Sequence, residues 1–145
     1  MKKAIIFIII SLIISLLLIL FANSSFYELS SPGLKITKDF FSNIENSNFE
    51  KAKEQVDYIL KERVNNFRIA KDKFNQEIIY KNEKFRVLEE GEDYVVVRVN
   101  YDLIKRSDYH NVKKPVTMDV YLKLVSTYKE NRKQKELKIV YLKSV

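Results

Sequence analysis

The stretch Lys84–Leu103, KFRVLEEGEDYVVVRVNYDL, decides the fold class. Phe85 and Val87 alternate with charged neighbours. Then Val95, Val97, Val99, Tyr101 and Leu103 point one way, and Tyr94, Arg98, Asn100 and Asp102 the other. A period of two marks strands with one buried face. Between them Glu89-Glu90-Gly91-Glu92-Asp93 reads as a turn, with Gly91 free to take positive φ.

The same period continues downstream. A polar stretch, 105–114, leads to Pro115, after which Val116, Met118, Val120, Leu122 and Leu124 alternate with Thr117, Asp119, Tyr121 and Lys123. A basic loop, 129–135, precedes a last strand with Leu137, Ile139 and Tyr141 on one face.

Upstream the period is helical. Ile36, Phe40 and Ile44 recur every four residues in a first helix over 35–46, with Phe41 widening the stripe. Ser47-Asn48-Phe49-Glu50 reads as a capping box opening a second helix, whose apolar face holds Phe49, Ala52, Val56, Ile59, Leu60 and Val64. Phe67, Ala70 and Phe74 continue that helix or form a third. Residues 75–83 favour neither period. Helices first and strands second predict an α+β fold, with two or three helices packed on a four-stranded antiparallel sheet.

Further upstream, Lys2 and Lys3 precede Ala4–Ala22, AIIFIIISLIISLLLILFA. At about 1.5 Å per residue this run spans roughly 28 Å, close to the hydrocarbon thickness of a bilayer. Residues 1–22 are therefore expected to be a transmembrane anchor. Residues 23–34 are expected to be a linker and 35–145 a domain on the non-cytoplasmic side, since the lysines hold the N-terminus in the cytoplasm. Cleavage is the alternative. Ala22-Asn23-Ser24 offers the small residues a signal peptidase reads, and cutting there would release a secreted protein. The chain is rich in Ile, Lys and Asn with four Ala, a composition typical of AT-rich bacterial genomes.

The order of elements resembles the nuclear transport factor two-like superfamily over about residues 34–145. Ile36–Ala52, ITKDFFSNIENSNFEKA, is similar to the opening of those domains: an aromatic pair in the first helix, a polar break, then phenylalanine-glutamate-lysine-alanine. Met118–Val125, MDVYLKLV, a charged hairpin and Glu136–Leu142, ELKIVYL, are similar to the end of small bacterial members behind a membrane anchor. Leu137 stands where such members often have tryptophan. The resemblance implies a curved sheet wrapped by helices into an open cone. It implies no activity, since this superfamily hosts isomerases, secretion scaffolds and binding modules alike.

The residues themselves argue against catalysis. There is no cysteine, so thiolate nucleophiles, thiolate metal sites and disulfides are excluded. His110 is the single histidine and lies in a polar loop; alone it does not build a zinc site. Asp102 and Asp119 alternate with apolar positions, so both are expected in solvent. Tyr101 is the candidate ligand-binding residue, because it falls on the apolar face and could donate a hydrogen bond inside a cone. No cofactor is implied.

Charge is distributed unevenly. Residues 34–100 carry 13 Lys/Arg and 13 Asp/Glu, whereas 101–145 carry 11 and 5. The excess gathers at Lys105-Arg106, Lys113-Lys114 and the basic hairpin, where Lys133, Lys135 and Lys138 are candidate contacts to an anionic surface. Nucleic acid is not expected as a partner, because the domain is placed outside the cytoplasm and Tyr128 is the one stacking aromatic in the basic run. The reading that follows is a membrane-anchored, non-catalytic binding or scaffold domain of the bacterial cell envelope. The alternatives are a small-ligand-binding or isomerase-like cone, and a subunit of a secretion or conjugation apparatus.

Overall fold

The computed structural model describes residues 14–15, 31–107, 111–130 and 132–145, and the chain divides into two units, Met1–Ser31 and Pro32–Val145. The expected anchor apart from Ile14 and Ser15, its cleavage site and most of the expected linker lie outside the described residues, as does His110. Among the described residues no helix is long and apolar enough to cross a membrane.

Helix α1 spans Pro32–Glu45 and so takes in the last residues of the expected linker. Proline suits the first helical position, where its fixed φ fits and its missing N–H would have had no partner. Leu34, Phe40, Phe41 and Ile44 are buried along one side. Gly33 is buried where α1 passes close to Val95: a Cβ on Gly33 would lie 2.7 Å from Val95 Cγ1.

The expected capping box does not form. Ser47 adopts φ 62 in the turn after α1, and its hydroxyl takes a hydrogen bond from Lys71. Asn48 occupies the position before α2, Phe49–Glu54, without a side-chain cap. The expected long second helix is also broken. At Gln55–Asp57 the backbone leaves the helix and pairs with the last strand: Asp57 N–H donates to Ile139 O at 2.8 Å, and Ile139 N–H donates to Gln55 O at 2.9 Å. Helix α3 then runs Tyr58–Phe74 with its phase reset. Leu60 and Val64 stay buried, but Ile59, expected on the apolar face, is 75% exposed. Asn75, left-handed at φ 49, ends α3.

Four strands follow as an antiparallel meander in the order β1-β2-β3-β4: β1 Glu77–Glu90, β2 Tyr94–Arg106, β3 Asn111–Lys129 and β4 Arg132–Ser144. They are longer than the alternation predicts. Most of 75–83, which favours neither period in the sequence, is strand, and so are much of the polar stretch 105–114 and residues 132–135 of the expected basic loop. A bulge between Lys81 and Lys84, where Asn82 sits at φ 55, explains why 75–83 read ambiguously. It shifts the inward set from Ile78 and Tyr80 to Phe85 and Val87, so no single period spans the strand. Gly91 does not take the positive φ expected of it. It is small because the Tyr94 ring lies over it; a Cβ there would meet Tyr94 Cε1 at 2.4 Å.

The helices pack on one face of the sheet. Val97, Val99, Val120, Leu122 and Ile139 form the floor of the core. Phe41, 2% exposed, sits at its centre, with ring centroids 4.9 Å from Tyr80, 5.4 Å from Tyr101 and 6.0 Å from Phe85. These are edge-to-face contacts, the geometry the ring quadrupole favours.

Candidate binding groove

Helix α3, α1 and the sheet line an open groove. Leu60, Val64, Phe67 and Ala70, at helical spacing, make one wall of it. Met118 of β3 and Leu142 of β4 make the other, and Phe40 of α1 closes the back. Leu60, Val64 and Phe40 are buried. Phe67, Ala70, Met118 and Leu142 are half-buried. The cavity measures about 500 Å³, within the range of small-molecule sites. Ala70 is the smallest of the apolar side chains in the lining.

The polar residues of the groove are Arg63 and Asn66 on α3, Gln76 just before β1, Lys105 on β2 and Ser144 on β4. None is acidic. Lys105 pairs in register with Ile78 and Val112, on the same side of β2 as Leu103 and Tyr101. A lysine therefore continues the inward row of β2 where that row leaves the core. Among the described residues neither Arg63 nor Lys105 has an ion-pair partner.

The expected site residues lie elsewhere. Tyr101 is 6% exposed and packs edge-to-face on Phe41 and on Tyr80, whose centroid is 5.0 Å away. It does not line the groove. Burial pushes its hydroxyl up to about 12, so it is neutral at physiological pH. Burial raises Tyr80 as well.

The three hairpin lysines do not form one patch. Lys133 and Lys135 are exposed and face Tyr128 and Ser126 across the β3–β4 pair. Lys138 belongs to the opposite face by register, and its side chain is 16% exposed. Its ammonium donates to the Glu54 carbonyl at the end of α2 and pairs with Glu136 at 2.7 Å. Its charge is thus engaged within the fold.

Asp119 is a correction. It lies on the outward face as the alternation predicts, yet it is 6% exposed rather than solvated. Arg98, directly opposite on β2, lies over it and donates two hydrogen bonds, of 2.7 and 2.9 Å. Asp102 is half-buried and accepts a hydrogen bond from the Asn82 side chain at 2.7 Å. Among the described residues no group of three or more His, Asp or Glu side chains is placed to hold a metal ion.

Little in the sequence announces the groove. Its lining comes from α1, α3, β2, β3 and β4, which are distant in the chain. The one legible signal is Lys105, which follows Val99, Tyr101 and Leu103 at period two and so places a charge on the core side. The chain matches no protein-family model and no curated protein.

Proposed function

We propose that this chain is a membrane-anchored, non-catalytic binding domain on the outer side of a bacterial cytoplasmic membrane, and that the groove beneath α3 is its binding site. The observation that carries this reading is an open cavity of about 500 Å³ whose walls are largely apolar side chains. Apolar surface left half-buried beside a well-packed core is a cost to stability unless a ligand covers it. The apolar run 4–22 behind two lysines supports the anchor. The aromatic pair Phe40-Phe41, the break before Phe49-Glu50-Lys51-Ala52 and the order of helices before a strand meander support a nuclear transport factor two-like domain as the carrier.

The test is to purify the full chain from its native membrane and identify small molecules carried with it by mass spectrometry. The Ala70→Trp variant, which fills the groove, serves as the comparison. A compound enriched with the wild type and lost from the variant is expected. Identical extracts from both would count against the reading.

A second reading, docking of an envelope protein partner, is favoured by Tyr58 and Tyr128. Both are exposed and line one cleft between the start of α3 and the β3–β4 hairpin. Exposed tyrosines are enriched at protein interfaces. A photocrosslinking amino acid at position 128 should then capture one defined envelope protein in living cells; capture of none would remove this reading.

A further inference from the structure

We infer that the groove takes a single-chain amphiphile with an anionic head group, its alkyl chain lying between α3 and the sheet and its head held by Arg63 and Lys105. The inference rests on the reading of this groove as a binding site. Three observations carry it.

The first is the division of the lining. Phe67, Ala70, Met118 and Leu142 supply a continuous apolar surface that offers an alkyl chain contact but no directional bonds. A sugar or a nucleotide would leave its hydroxyls unpaired against these walls, a cost that an alkyl chain does not incur.

The second is charge. Both ionisable residues of the groove are cations, reached from opposite walls: Arg63 from α3 and Lys105 from β2. Without an ion-pair partner among the described residues, both are available to an anion. Arginine matches the geometry of a carboxylate or phosphate with paired donors, and lysine adds a point charge. Lys114, opposite Leu103 in register, adds a third positive charge nearby on the inner side of the sheet.

The third is size. A cavity of about 500 Å³ is within the range that holds one small molecule. The proposed anchor would hold the domain beside a bilayer, where single-chain amphiphiles concentrate.

The experiment uses the full chain reconstituted in neutral phosphatidylcholine vesicles. Three photoreactive probes are compared, each with a diazirine in its alkyl chain: palmitate, lysophosphatidate and hexadecanol. Labelled peptides are mapped by mass spectrometry, and labelling of the apolar run 4–22 is the internal reference. The anionic probes should label the peptides containing Phe67, Met118 and Leu142 about tenfold more than hexadecanol does. Labelling by only one anionic probe also supports the inference and identifies the head as carboxylate or phosphate. The double variant Arg63→Gln, Lys105→Gln should bring labelling by the anionic probes down to the level of hexadecanol; an anionic preference that survives it would overturn the role of these two cations. Ala70→Trp should reduce labelling by all three. Equal labelling by hexadecanol and the anionic probes would overturn the charge-selective inference and leave the groove as a neutral binding site. No labelling of the groove, or labelling indifferent to Ala70→Trp, would overturn both.

Discussion

Arg98 and Asp119 face each other across β2 and β3 on the side of the sheet away from the helices, joined by two hydrogen bonds of 2.7 and 2.9 Å. The Arg98 hydrogen bond, aided by its charge and that of Lys143, holds the Asp119 carboxyl below its ordinary value of 3.8. The folded pKa lies below the unfolded one, so the pair stabilises the fold above pH 3.8. The contribution disappears as pH falls through the lowered folded value. Asp119→Asn should therefore lower stability at neutral pH, with the gap to wild type closing in acid. Chemical denaturation at several pH values checks this. A gap that stays constant with pH would show that the pair contributes no charge-dependent stability.

Phe41 has edge-to-face partners in Phe40, Tyr80, Phe85 and Tyr101. Phe41→Ala should cost roughly 3–5 kcal/mol, since it leaves a cavity at the centre of a packed core. Phe41→Leu keeps most of the apolar volume and loses the ring contacts, costing about 1–2 kcal/mol. Denaturant midpoints of the two variants should fall in that order. Equal midpoints would mean that this cluster is not what holds α1 to the sheet.

Tyr80 and Tyr101 should resist ionisation. Burial raises both hydroxyls above the ordinary value of 10, Tyr101 to about 12. Because the folded values are the higher ones, their contribution to stability is complete below pH 10 and is lost as pH rises beyond it. An alkaline absorbance titration checks this. A final group should titrate only at higher pH or with unfolding, and Tyr101→Phe should shrink that group. Simultaneous titration of all nine tyrosines near pH 10 would contradict the buried cluster.

Gly33 and Val95 should be coupled. A Cβ on Gly33 would lie 2.7 and 2.8 Å from Val95 Cγ1 and Cβ. Thr37 also fixes this turn of α1 by donating its hydroxyl to the Gly33 carbonyl at 2.8 Å. Gly33→Ala should cost about 1–3 kcal/mol through overpacking, despite alanine's better helix propensity. Val95→Ala should relieve part of that cost, giving a coupling of at least about 0.5 kcal/mol in a double-mutant cycle. Additive effects would mean that the two elements part without strain.

The sequence made local periods legible and left long-range backbone pairing hidden. Val95–Leu103 reads as a half-buried strand because every second residue is apolar, and Ile36, Phe40 and Ile44 read as a helix by their spacing. The break at Gln55–Asp57 carries no such mark. Val56 continues the helical stripe of Ala52 and Leu60, yet the backbone there pairs with Ile139, near the other end of the chain. Asp119 also misleads, since alternation predicts which face it takes but not that Arg98 will cover it. The capping box fails for a related reason: Ser47 is bound by Lys71, from a helix that local spacing cannot place beside it. The groove is least legible of all, because it is defined by a gap between elements and not by a motif.

The absence of cysteine makes the proposed membrane topology directly testable. A single cysteine introduced at Lys133, an exposed position on β4, would be the only thiol in the chain. If residues 1–22 anchor the chain with its N-terminus in the cytoplasm, a membrane-impermeant maleimide should label Lys133→Cys in intact cells. It should label Lys2→Cys only after lysis. The chain should stay with the membrane after an alkaline wash and retain its full mass of 17.2 kDa. Cleavage after Ala22 would instead yield a shorter protein free of the membrane. Labelling of Lys2→Cys but not Lys133→Cys in intact cells would reverse the orientation. The proposed binding groove would then face the cytoplasm, and the proposed amphiphile would have to come from the inner leaflet.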